Sequence, residues 1–217
     1  MSMNTTTRPQ IAINVMRSRL TVVGFNIAIV SFQISTLINM QGGVFLTGFE
    51  HAIHFRSDIA LLVALASSML ALVAFISATS INNKSVCDHW SFIAGDLLMY
   101  LGLACTVTGF FSPLNDTFLY AIEKDPQLTP LIIFQVGIKS IGAIVWIATI
   151  YIGPAITLFR SPFSQTTNRV LAIAYCMTLL LLFLFYQQAL ILENLVLDKM
   201  PSEIDPYFYE FFQFLVW

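Results

Sequence analysis

Residues 90–111 read WSFIAGDLLMYLGLACTVTGFF. As a helix this stretch covers about 33 Å at a 1.5 Å rise, which matches the roughly 30 Å hydrocarbon core of a bilayer. One charge interrupts it, Asp96, and an acid at the centre of a span costs about 2.5–3.5 kcal/mol on insertion scales. The stretch therefore predicts a transmembrane helix holding a carboxylate that needs a reason to be there.

Four more apolar runs surround it, at 20–40, 59–81, 130–159 and 170–196, and each is long enough to span. The run at 130–159 carries an ammonium, Lys139, and contains Gly153-Pro154, where a kink or an exit from the hydrocarbon is expected. Composition agrees with this reading. Of 217 residues 57% are hydrophobic and 10% charged, with mean hydropathy +0.79, against about 25% charged in soluble domains. The expected fold is an all-α integral membrane protein, a bundle of five transmembrane helices with a C-terminal interfacial amphipathic helix. The chain divides into an N-terminal cytoplasmic segment (1–19), the bundle (20–200) and an aromatic segment (201–217).

Arg8, Arg17, Arg19, Lys84, Arg160 and Arg169 fall on one side of these spans, while Arg56, Lys124 and Lys199 fall on the other. The positive-inside rule then puts the N-terminus in the cytoplasm and the C-terminus outside. The outer side collects Glu50, Asp58, Asp116, Glu123 and Glu210 among others, a field that concentrates cations. Asn115-Asp116-Thr117 is a glycosylation acceptor pattern in the expected outer loop. In the last segment Asp205 and Pro206 suit a helix start, and Tyr207, Tyr209 and Trp217 suit a membrane interface. That segment is expected to lie flat on the outer leaflet, or else to dock on another protein.

Small residues recur at helical spacing in the first three spans, including Gly24, Ala28, Ser31 and Ser35, then Ala60, Ala64 and Ala71, then Gly95, Gly102 and Gly109. In lipid such stripes let backbones approach, so spans two and three are expected to be the tightest pair. Opposite the small face of span one runs a polar stripe of Asn26 and Gln33, seven residues apart, with Thr36 near the same face and Arg19 continuing it. The stripe reads as a path lining or as interhelical hydrogen bonding. Asp96 reads as a cation or proton site, or as the partner of Asn26 or Gln33. Lys139 reads as facing a hydrated cavity or reaching the outer interface, about 10 Å from Asp96 along the membrane normal.

If span two begins early as a helix, Glu50, His51, His54 and Asp58 share one face at spacings of three and four. Two imidazoles and a carboxylate so placed are a candidate metal site, although the order is not His-Glu-x-x-His. No span holds a histidine in its hydrocarbon portion, so no haem is expected within the bundle. A net charge of −2 without basic clusters excludes a nucleic-acid footprint. Cys87, Cys105 and Cys176 form neither a disulfide framework nor a metal spacing. The leading functional expectation is an ion channel or transport subunit, acting as a homo-oligomer or with other membrane subunits among membrane lipids. A non-catalytic accessory or anchor subunit of a larger membrane complex is the second expectation. A metal-dependent membrane enzyme built on His51 and His54 is the third.

Overall fold

The structure, a computed structural model, describes residues 11–40, 43–46, 48, 50–80, 86–87, 89–125, 129–196, 207–215 and 217. It is all-helical, and five helices are long and apolar enough to span a membrane. In chain order they are α1 (Ile13–Leu37), α2 (Phe55–Ser80), α3 (Ser91–Lys124), α4 (Thr129–Ile147) continued through a π turn (Ala148–Ile152) into α5 (Gly153–Phe159), and α6 (Gln165–Val196). A 3₁₀ segment, Tyr207–Leu215, follows, broken by a kink at Phe212. A two-residue antiparallel ladder joins Ile11–Ala12 to Val86–Cys87 at the Arg19 end of the bundle.

Helix α1 buries one edge only. Met16, Val23, Val30 and Leu37 recur every seven residues along that edge, interleaved with Arg19, Asn26 and Gln33 at the same interval. A seven-residue repeat is the signature of a left-handed seam between helices, here against α2 and α3. The polar stripe and the packing seam are therefore the same set of residues.

Helices α2 and α3 make the most extensive interface, as the glycine spacing implied. They run antiparallel. A Cβ placed on Gly95 would stand 2.8 Å from the Phe75 ring, on Gly102 2.9 Å from Ser68 Oγ, and on Gly109 2.6 Å from Leu61. Each glycine lets a side chain of α2 rest on the α3 backbone. Gly109→Val is expected to destabilise the bundle by about 1–3 kcal/mol through overpacking. Gly137→Val on α4, where nothing lies within 4 Å, is the control that should leave the unfolding midpoint in detergent unchanged.

Helix α3 continues past the apolar run that ends at Phe111, through Pro113, to Lys124. The expected loop around Asn115 is therefore helical. Asn115 is buried and accepts a hydrogen bond from Gln135 Nε2 at 3.0 Å, so the glycosylation pattern does not present its amide at the surface. The kink expected at Gly153-Pro154 takes the form of the π turn just before it. Pro154 has no N–H to give the carbonyl four residues back, that of Ile150, and the Tyr175 hydroxyl of α6 donates to it instead at 2.8 Å.

Candidate functional site

The α1 seam positions the polar side chains that the sequence singles out. Asn26 Nδ2 donates to Ser68 Oγ at 2.9 Å, in space left by Gly102. One heptad onward Gln33 is buried, its backbone carbonyl accepts the Thr36 hydroxyl at 3.0 Å, and its side-chain amide reaches Met40 Sδ at 4.0 Å. One heptad back, Arg19 Nε donates to Asp96 Oδ1 while its guanidinium lies 5.1 Å from the Phe92 ring centroid. Asp96 thus takes neither Asn26 nor Gln33 as partner. The apolar run starts at Leu20, which places Arg19 outside the span, but the helix begins at Ile13 and carries Arg19 inward to the depth of Asp96. The carboxylate side chain is 1% exposed and the arginine 28%.

Lys139 is far from this pair. Gly142, one turn onward, packs on Phe111 of α3, and the 15 residues from Asp96 to Phe111 amount to about 22 Å of helix. This exceeds the expected separation because the α3–α4 hairpin extends to Lys124 and shifts α4 outward. Lys139 Nζ donates to the carbonyl oxygens of Leu215 at 3.4 Å and Trp217 at 3.0 Å.

Those carbonyls belong to the aromatic segment, whose geometry corrects the expectation that it merely lies on a leaflet. Its helix is 3₁₀, and Glu210, Gln213 and Trp217 are buried against the bundle. Glu210 pairs with Arg56 of α2, and the Thr108 hydroxyl donates to Gln213 Oε1 at 2.8 Å. Tyr151 donates to the Phe211 carbonyl at 2.7 Å, and the Trp217 ring stacks on Phe111 with centroids 5.8 Å apart. Nearby, the Tyr186 hydroxyl meets Cys105 Sγ at 3.7 Å. Glu210, expected in an acidic outer field, is instead buried in this centre. The contact that docks the segment joins Arg56 to Glu210, 154 residues apart, and leaves no periodic signal in the chain.

The metal geometry expected around His51 does not form. Helix α2 begins at Phe55, and Ile53 pairs with Val44 in an isolated bridge, so 50–53 is not helical. Glu50 and His51 are exposed, whereas His54 is buried with its ring against Gly43 and Nδ1 4.0 Å from Asp116. Among the described residues no three His, Cys, Asp or Glu side chains converge to hold a metal ion. Burial pushes the His54 imidazole below its ordinary value, opposed by the Met40 backbone and the Asp58 carboxylate. The unfolded chain then takes up a proton that the folded one resists. Stability should be level above about pH 6.5 and fall below it, by at most about 1.4 kcal/mol per pH unit for one proton. Unfolding midpoints of wild type and His54→Gln between pH 7.5 and 5 check this, the variant giving the flatter profile.

No protein-family model, characterised protein or solved structure matches this chain.

Proposed function

We propose that the chain is a multi-pass integral membrane protein, N-terminus cytoplasmic, that works as a non-catalytic assembly subunit docking other transmembrane helices. The carrying observation is the orientation of α1. Its polar residues are spent inside the bundle on Asp96, Ser68 and Met40, while Gly24, Ala28, Ser31 and Ser35 face outward beside exposed Phe25, Ile29 and Phe32. Among the described residues nothing lies within 4 Å of a side chain placed on Gly24, so the backbone there is open to close approach by a second helix. Orientation is supported by charge. Among the described residues Arg17, Arg160 and Arg169 are exposed at one end, against the exposed Lys124 at the other.

Crosslinking in native membranes followed by purification tests the reading. Wild type should bring down a fixed set of membrane partners, further copies of itself included, and Gly24→Leu should reduce their recovery at least tenfold, about 1.4 kcal/mol. Undiminished recovery from Gly24→Leu would reject α1 as the docking face. One observation favours a second reading, ion or proton transport. Asp96 Oδ2 and Asn26 Oδ1 are buried on the same seam without hydrogen-bond partners among the described residues, a carboxylate that can take a proton and an amide oxygen that can help to hold a cation. Under that reading, liposomes carrying the purified protein show a flux that Asp96→Asn abolishes.

A further inference from the structure

Between α5 and the start of α6 lies an open groove of about 560 Å³. Its floor is apolar, made by Ala155, Leu158 and Phe159 on one side and Ala172 on the other. Its rim is polar, with Gln165 and Arg169 one helical turn apart. Asn168 fixes the shape, since its amide reaches the Leu158 carbonyl at 3.5 Å and the Phe163 carbonyl at 3.4 Å and so ties the two helices together. The rim lies where two candidate spans end, one at Phe159 and one at Gln165. An apolar trough below and hydrogen-bond donors above is the profile of a phospholipid at that depth.

The charge at this end selects the kind of lipid. Arg17, Arg160 and Arg169 are exposed there, and among the described residues of this end the one carboxylate, Asp96, is already bonded to Arg19. Anionic headgroups are drawn to such a surface, and a guanidinium with a neighbouring amide matches phosphate oxygens. We infer that the α5–α6 groove binds an anionic phospholipid, with the phosphate on Arg169 and Gln165 and one acyl chain along Ala155, Leu158 and Ala172. The site rests on the membrane reading above but not on the assembly role.

The test uses the full chain in nanodiscs of phosphatidylcholine containing a minor fraction of phosphatidylglycerol, with lipids retained after release counted by native mass spectrometry. Wild type should retain phosphatidylglycerol over phosphatidylcholine, and Arg169→Gln should lower that preference about fivefold, whereas Arg17→Gln at the same end should keep it. Ala172→Phe fills the trough without changing charge and should also lose the lipid. Equal retention of the two lipids by wild type, an unchanged preference in Arg169→Gln, or full displacement by inorganic phosphate overturns the site. Release of the protein from native membranes by alkaline carbonate overturns the membrane reading itself, and is distinguished from the other failures by being read before any lipid is counted.

Discussion

Arg56→Met is expected to destabilise the protein by about 3–5 kcal/mol and to release the Tyr207–Leu215 helix from the bundle. The Arg56 side chain is 7% exposed and that of Glu210 2%, so neither charge retains access to solvent. Removing the guanidinium takes from a desolvated carboxylate the cation bonded to its Oε1, which is the expensive half of a buried ion pair. Among the described contacts that remain, the Gln213 amide at 3.5 Å from Glu210 Oε2 and the Tyr151 contact to Phe211 are neutral and offset little of that cost. Glu210→Met should cost about as much, for the mirror reason. The double variant Arg56→Met with Glu210→Met should recover most of the loss, because two well-packed apolar side chains replace a pair whose desolvation its attraction only balances. Detergent unfolding midpoints and protease access to the segment measure both effects. Equal losses in the double and single variants would show that the pair itself, beyond the uncompensated charge, holds the segment.

The spans were legible because hydropathy over twenty or so residues is a strong, local signal: all five apolar runs overlap helices of the structure. Helix ends were less legible. α1 begins seven residues before its apolar run and α3 runs thirteen past its own, because a helix continues on backbone hydrogen bonds where side chains turn polar. That shift decided the site. With Arg19 outside the first span, Asp96 has no cation at its depth; with the helix extended, the two meet. Asn26 and Gln33 lie seven residues apart, an interval shared with Val23 and Val30, and that interval is the mark of a packing seam. The docked aromatic segment was the least legible, since a fold-back contact 154 residues apart, from Arg56 to Glu210, leaves no periodic trace in the chain.

The Arg19–Asp96 pair should behave unlike the Arg56–Glu210 pair, and its asymmetry is the second large effect. Asp96 is buried in the α3 interface, whereas Arg19 keeps 28% of its side chain exposed near the end of α1. Asp96→Leu removes the buried charge and leaves an arginine whose long stem can carry the guanidinium to the headgroup region, while Phe92 still underlies it. Its cost should be about 1 kcal/mol. Arg19→Leu leaves the carboxylate, with one oxygen already lacking a partner, without the cation that compensates it. That cost should reach about 3–5 kcal/mol. Unfolding of both variants in the same detergent gives the difference directly. Equal costs would mean that water reaches Asp96 along the α1 seam and solvates it when the arginine is gone, and a hydrated carboxylate at that depth is what a transport path requires. The ratio of the two costs thus separates a sealed structural seam from an ion pathway without any flux being measured.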